Sequence, residues 1–176
     1  MTILDQLADY AKERVAAAKS KLNTADIRAL AEELPRGSFE FGRALQGDDL
    51  AFICECKKAS PSKGIIAEDF PYLEIAKDYE KAGASCISVL TEPKWFKGSL
   101  DYMYEIASEV SIPVLRKDFT IDEYMIFEAR AKKASAVLLI CSILDSATLG
   151  KYIRICDELE LTALVEAHDQ NECDMA

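Results

Sequence analysis

The sequence predicts an α/β fold in which a parallel sheet is built from repeated strand–helix units. Short apolar runs recur at intervals of roughly 25 to 35 residues, which is typical of βα repeats. These runs are apolar almost throughout, as expected for strands that are covered by helices. Several of these runs are followed directly by acidic and basic residues, so the ends of different strands carry charge. Ionisable groups at the ends of buried strands favour an active site at that edge of the sheet.

Two helices are predicted before the first strand. Residues 2–22 carry apolar side chains at the spacing of one helical face. A second helix is predicted from Thr24, a suitable N-cap residue, to Leu34, because Pro35 and Gly37 follow it. An apolar patch comes next: Phe39, Phe41, Ala44 and Leu45. Residues 1–48 are therefore expected to form a helical extension.

Strands and helices are predicted to alternate over residues 49–176. The expected strands are Leu50–Cys56, Ser85–Leu90, Val114–Lys117, Ala136–Cys141 and Thr162–Glu166. The expected helices cover residues 71–82, 99–109, 122–132 and 146–159. Asp122 and Asp145 are suitable helix N-caps, and Gly83 marks a helix C-terminus.

Two architectures fit this pattern. One is a doubly wound open sheet of the flavodoxin type. The other is a TIM (β/α) barrel, which closes with eight strands in about 250 residues. The number of visible strands favours the open sheet, whereas the ionisable residues at the strand ends favour a barrel. In that case residues 49–176 form a partial barrel of about five βα units.

Composition narrows the class of partner. The chain has 176 residues, is 50% hydrophobic and carries a net charge of −10. This charge argues against nucleic acid or an anionic membrane as the main partner. Six cysteines without a zinc-type spacing, and a first segment without signal-peptide character, predict a cytoplasmic protein with reduced thiols and no metal.

A local group of cations stands out against the acidic background. Its members follow the predicted strand ends and are Lys57, Lys58, Lys63, Lys94, Lys97, Arg116 and Lys117. A cationic mouth on an acidic body suits a small anionic substrate, because the field is focused where the ligand enters. Solvated loop lysines are the alternative for Lys63, Lys94 and Lys97.

Side-chain alternation selects the residues that would face such a site. If Glu55, Lys57, Lys117 and Glu166 point inward, they converge at the C-terminal mouth, where barrel enzymes keep their catalytic groups. Lysines and glutamates in a half-desolvated site are suitable proton donors and acceptors. The alternative is an interior ion-pair network that only fills the barrel.

Two loops and one histidine complete the set of candidates. Ser60 and Ser62 flank a proline and offer hydroxyl groups to an anion, although such sequences are also common in turns. Residues 91–99 expose Trp95 and Phe96 in a Gly/Pro loop, which predicts either an aromatic wall or a loop packed on itself. His168 is expected to have a structural or supporting role.

Four blocks together resemble the indole-3-glycerol phosphate synthase family. They are FICECKKASPSKG, SVLTEPKWFKGS, PVLRKDF and ALVEAHD, in this order and spacing, and the helical extension is also similar. The resemblance implies a cofactor-free lyase of tryptophan biosynthesis. Its substrate would be 1-(2-carboxyphenylamino)-1-deoxyribulose 5-phosphate, a small phosphorylated anion, which loses carbon dioxide and water as an indole ring closes.

The resemblance also implies roles for individual residues. Lys117 would be the general acid in ring closure, and Glu166 would act with it in the later dehydration. Lys57 would bind the substrate's carboxylate and Glu55 would orient it. The loop of Ser60 and Ser62 would lie beside the substrate, and Phe96 and Phe119 would pack on the substrate's aromatic ring.

The chain resembles only the first five strands of that family. We therefore expect little activity from it alone, and self-association or pairing with a missing C-terminal half through exposed strand edges. Two other functions stay open at this stage. One is a non-catalytic assembly module, and the other is a Schiff-base aldolase that uses Lys117 as nucleophile.

Overall fold

Three helices precede the first strand in the computed structural model, which describes residues 2–176. They are α1 (Ile3–Lys21), α2 (Thr24–Glu33) and α3 (Glu40–Ala44). Thr2 and Asp5 form a capping box at the start of α1. The N-cap of α2 is Asn23, so the prediction of Thr24 was wrong by one residue: the Asn23 side chain accepts the backbone N–H of Asp26.

The strands and helices then alternate as predicted. The remaining elements are β1 (Ile53–Cys56), β2 (Ala59–Ser60), β3 (Gly64–Ile65), α4 (Tyr72–Lys81), β4 (Cys86–Leu90), α5 (Leu100–Glu109), β5 (Val114–Lys117), α6 (Glu123–Ala131), β6 (Ala136–Ile140), α7 (Ser146–Glu158), β7 (Thr162–Glu166) and α8 (Gln170–Met175). Asp122 and Asp145 cap α6 and α7, as predicted.

A few boundaries differ from the sequence prediction. β1 begins at Ile53 rather than Leu50, and β4 begins one residue later than expected. β6 ends at Ile140, because Cys141 starts a short 3-10 turn. The β2–β3 hairpin and α3 were not predicted, since elements of two or five residues leave no hydrophobic period in the sequence.

Strand order decides between the two predicted architectures. The main sheet has the order β1-β4-β5-β6-β7, and every neighbouring pair is parallel. Each strand therefore lies beside the next one along the chain. In a flavodoxin-type sheet the order of the strands reverses at a switch point. The order found here has no such reversal, so the doubly wound alternative was wrong. Sequential parallel strands with helices between them form part of a (β/α) barrel.

The two faces of the sheet belong to separate hydrophobic clusters. Alternate residues such as Ile87, Val89, Val114, Val137 and Leu139 pack against the helices. The residues between them, Cys86, Leu115, Ala136, Leu138 and Ile140, form the barrel interior. Phe41 from α3 is fully buried in this inner cluster, and the Gly42 N–H donates to Thr162 Oγ1 over 3.1 Å. α3 thus closes the end of the barrel at which the strands begin.

Helix α1 lies over the opposite end, where the strands finish. Arg14 donates two hydrogen bonds to Asp118, of 2.7 and 3.0 Å. Lys19 pairs with Asp122 over 2.7 Å. The ring of Tyr10 meets Trp95 edge to face at a centroid distance of 5.6 Å. These contacts fix α1 against the loops that follow β4 and β5.

The sheet edges are β1 and β7. Leu50 is 85% exposed and Phe52 58% exposed beside β1. Pairing of an edge with another chain stays a prediction. Within residues 2–176, no helix is both long and apolar enough to cross a membrane.

Candidate active site

One cavity at the carboxyl ends of the strands brings together four of the predicted site residues. It has a volume of about 120 Å³ and is lined by Leu90, Phe96, Lys117, Asp118, Phe119, Leu138, Ile140 and Glu166. Lys117 is in register with Leu90, and Glu166 is in register with Ile140, so both groups end their strands on the inner face. The rings of Phe96 and Phe119 are 6.1 Å apart. The cavity therefore combines an ammonium group, a carboxylate and an apolar wall.

The size of this cavity suits a single aromatic ring. An engineered protein cavity of roughly 150 Å³ holds benzene, which gives the scale. Leu90, Leu138 and Ile140 line the cavity with apolar side chains, and all three are buried. A flat ring would bury its faces here while its polar substituents reached Lys117 and Glu166.

Glu55 and Lys57 lie at the end of β1 but do not line this cavity. Lys57 Nζ is 2.5 Å from Glu55 Oε1, and the two side chains are 33% and 29% exposed. Glu55 is in register with Ser88 of the neighbouring strand. The Lys57 ammonium is therefore held in place by the Glu55 carboxylate.

Ser60 and Ser62 also lie outside the cavity lining. They belong to the β2–β3 hairpin and its turn, where their hydroxyl oxygens are 3.5 Å apart. Ser60 Oγ accepts the Lys63 N–H over 3.2 Å. The hairpin is held to the next loop because the Ala59 N–H donates to the Phe96 carbonyl over 3.2 Å.

The loop between β4 and α5 is organised by Glu92. This residue is fully buried, and its carboxylate accepts three successive backbone N–H groups, from Lys94, Trp95 and Phe96. The loop returns at Gly98, where an added Cβ would lie 2.1 Å from the Leu90 carbonyl oxygen. The loop therefore packs on its own groups, and through Phe96 it also lines the cavity with an aromatic ring. The two predicted structures for this loop, a self-packed loop and an aromatic wall, are both present.

Arg116 does not belong to the cationic mouth, and that prediction was wrong. It alternates with Lys117 along β5, so it points away from the interior and is only 2% exposed. Its guanidinium pairs with Glu128 at 2.9 Å and with Asp118 at 3.4 Å. Arg116 thus neutralises the Glu128 and Asp118 carboxylates on the side of the sheet that the helices cover.

Asp118 is the centre of a buried ionic cluster directly behind Lys117. It accepts hydrogen bonds from Arg14 and from the Thr91 hydroxyl, the latter over 2.7 Å. Burial alone would raise the pKa of Asp118, but the Arg14 hydrogen bonds and the charges of Arg116 and Arg14 outweigh it and lower the pKa to about 2. The carboxylate is therefore ionised at any physiological pH and ties α1 to the end of β5.

One interior residue was missed in the sequence. Ser88 is 3% exposed, and its hydroxyl has no hydrogen-bond partner among the described residues. A serine inside the apolar run Cys86–Leu90 was the available signal.

His168 lies at the rim of the site, where its side chain is 64% exposed and its Nε2 is 3.5 Å from Glu166 Oε1. Its supporting role stays a prediction.

Fold and site together define a (β/α)-barrel protein with a pocket, lined by a lysine and a glutamate, at the carboxyl ends of its strands. The family model described as indole-3-glycerol phosphate synthase matches residues 4–176. An indole-3-glycerol phosphate synthase of Ruminiclostridium cellulolyticum is 54% identical over 171 residues, covering 97% of this chain and 66% of the relative. One of Endomicrobium trichonymphae is 48% identical and covers 99% of this chain and 68% of the relative. The chain belongs to the indole-3-glycerol phosphate synthase family, and it spans about two thirds of the length of the curated relatives that it matches.

Proposed function

We propose that this chain carries the ring-closing side of an indole-3-glycerol phosphate synthase, a carboxy-lyase of tryptophan biosynthesis. Its substrate is 1-(2-carboxyphenylamino)-1-deoxyribulose 5-phosphate, and its products are indole-3-glycerol phosphate, carbon dioxide and water. One observation carries the proposal: Lys117 and Glu166, from two different strands, line one ring-sized cavity with Phe96 and Phe119. Membership of the family supports the same reaction.

Lys117 acts first, as general acid. Ring closure joins the aromatic carbon that bears the carboxylate to the ketone carbon of the sugar chain. Negative charge develops on the ketone oxygen, and a proton from the Lys117 ammonium neutralises it as the bond forms. Carbon dioxide then leaves, and the electron pair of the broken carbon–carbon bond stays in the six-membered ring, which becomes aromatic again.

Glu166 acts in the second half of the reaction. The hydroxyl formed at ring closure must leave as water while a proton leaves the neighbouring ring carbon, the CH2 group bonded to nitrogen, so that the double bond of the indole forms between the two carbons. Glu166 lies on the strand two places away from Lys117 in the sheet, so the two groups approach the substrate from different sides. This arrangement supports one proton donor and one proton acceptor for the dehydration, with His168 beside Glu166 as a supporting group.

Glu55, Lys57 and the hairpin bind the polar part of the substrate. Lys57 attracts the carboxylate of the aromatic ring, and Glu55 holds the ammonium at the mouth of the cavity through their 2.5 Å contact. Ser60 and Ser62 offer hydroxyl groups beside the same mouth. The cytoplasm stays the predicted location.

A single-turnover assay tests the proposal. The chain is mixed in excess over the substrate, so that one slow conversion can be followed by the appearance of indole fluorescence. Lys117→Ala is expected to lower the rate at least about 100-fold, the range for losing a general acid. Lys81→Ala, at an exposed position of α4, is the matched control and should leave the rate unchanged.

Two results would contradict the proposal. One is a rate that is the same in Lys117→Ala and in the unaltered chain. The other is a borohydride-trapped adduct between Lys117 and a ketose phosphate, which would instead support the aldolase alternative.

A further inference from the structure

A single buried carboxylate determines the conformation of the loop at residues 91–99. Glu92 is 0% exposed, and its oxygens accept the N–H groups of Lys94, Trp95 and Phe96 over 2.8, 2.8 and 3.0 Å. Hydrogen bonds to an ionised acceptor are about twice as strong as neutral ones. Three such bonds from consecutive residues leave the loop little freedom to rearrange.

The residue at the end of this series is the one that enters the cavity. The Phe96 N–H is held by Glu92, and the Phe96 carbonyl accepts the Ala59 N–H over 3.2 Å. Both sides of this residue's backbone are therefore fixed by parts of the molecule outside the cavity. Its ring faces Phe119 at 6.1 Å, with 40° between the ring planes.

The same loop is also docked on helix α1. Trp95 meets Tyr10 edge to face, and the Lys94 ammonium lies 4.4 Å from the Trp95 ring and 5.1 Å from the Tyr10 ring. A cation above two aromatic faces is favourable by about 0.5–1 kcal/mol at an exposed site. Glu92 thus holds three consecutive residues of which two contact α1 and the third lines the cavity.

We propose that Glu92 is a positioning residue of the site, which places the Phe96 ring against Phe119 and so forms the apolar wall that receives the substrate's aromatic ring. The reception of the substrate's ring rests on the proposed function, whereas the placement of Phe96 against Phe119 does not. A carboxylate that merely stabilised the fold would affect the free energy of unfolding, but its removal would leave the contact between the two phenylalanine rings intact in the folded chain.

The first test uses the full chain without ligand. Glu92→Gln keeps the volume of the side chain but turns an N–H donor toward backbone N–H groups, which also donate. We expect the nuclear Overhauser contacts between the rings of Phe96 and Phe119 to disappear, and the amide hydrogens of residues 94–96 to exchange at least about tenfold faster. Glu33→Gln, an exposed carboxylate on α2, is the matched control and should change neither.

A second variant covers the case in which Glu92→Gln does not fold, as judged by circular dichroism. Glu92→Asp keeps the buried charge, but its side chain is one methylene shorter and cannot reach all three amides, of which that of Phe96 is the most distant at 3.0 Å. The Phe96 amide should then exchange faster and the ring contact should weaken. If the folded variants keep both the ring contact and the protection of the Phe96 amide, the proposal is wrong.

The second test measures binding of 2-aminobenzoate, the aromatic part of the proposed substrate, by saturation-transfer NMR. We expect its dissociation constant to rise about tenfold in the Glu92 variants, because the ligand's ring loses apolar contact with Phe96, and to stay unchanged in Glu33→Gln. Unchanged binding in variants that have lost the ring contact would overturn the role in substrate positioning. If the unaltered chain does not bind 2-aminobenzoate but the variants lose the ring contact, Glu92 still positions Phe96 and the proposed ring binding is wrong.

Discussion

Replacing Asp118 by asparagine should destabilise the fold far more than any surface substitution. Asp118 is 1% exposed and neutralises Arg14, which lies 104 residues away in the sequence, as well as the buried Arg116. Lowering its pKa from the ordinary 3.8 to about 2 corresponds to about 2.5 kcal/mol, because each pKa unit is worth roughly 1.4 kcal/mol. Removing one partner of a buried pair costs roughly 3–5 kcal/mol. We therefore expect a loss of about 3 kcal/mol at pH 7.

The pH dependence follows from the direction of the pKa change. A carboxyl group with a lowered pKa in the folded state stabilises that state above its unfolded pKa of about 4, and this stabilisation is lost as the pH falls toward 2. Protonated aspartic acid and asparagine are both neutral. The stability difference between Asp118→Asn and the unaltered chain should therefore shrink from about 3 kcal/mol at pH 7 to below about 1 kcal/mol at pH 2.

Urea unfolding followed by Trp95 fluorescence measures this difference across the pH range. Asp9→Asn is the matched control, because Asp9 also pairs with a cation, Lys12 at 2.8 Å, but both side chains are more than half exposed. It should cost less than about 0.5 kcal/mol. The reasoning is refuted if Asp118→Asn costs no more than this control, or if its cost is the same at pH 7 and pH 2.

Three further outcomes are expected. At pH 8 the exposed Cys173 should react with Ellman's reagent within minutes, whereas Cys56, whose pKa burial raises to about 12, should react only after unfolding; equal rates would contradict this. Gly98→Ala should lower the free energy of unfolding in urea by about 2–3 kcal/mol, because the new Cβ meets the carbonyl oxygen at the end of β4, while Gly47→Ala, with nothing within 4 Å, should have almost no effect. Phe119→Ala should weaken substrate binding about tenfold in equilibrium titrations, since it removes half of the apolar wall; unchanged affinity would place the ring elsewhere.

The sequence was most informative where the signal is local. Alternation along β5 and β7 placed Lys117 and Glu166 on the inner face, and the structure brings both to one cavity. The same alternation assigns Arg116 to the opposite face, so its placement in the cationic mouth ignored a rule that the sequence already contained.

Long-range partners could not be predicted in this way. Nothing in a local pattern links Arg14 to Asp118 across 104 residues, and the buried role of Glu92 depends on how the loop folds back on itself. Strand order is also a tertiary property, which is why the doubly wound alternative stayed open until the parallel pairing was known. Helix α3 was not predicted because Phe41 is its one buried side chain, and a single buried residue shows no helical periodicity in the sequence.

The most direct test of the central claim is release of labelled carbon dioxide from substrate labelled in its carboxyl carbon. With the chain in excess, the unaltered protein should release the label together with the appearance of indole fluorescence. Lys117→Ala should suppress both signals by at least about 100-fold. Release of the label at an unchanged rate in Lys117→Ala, or indole formation without release, would contradict ring closure in the cavity between Lys117 and Glu166.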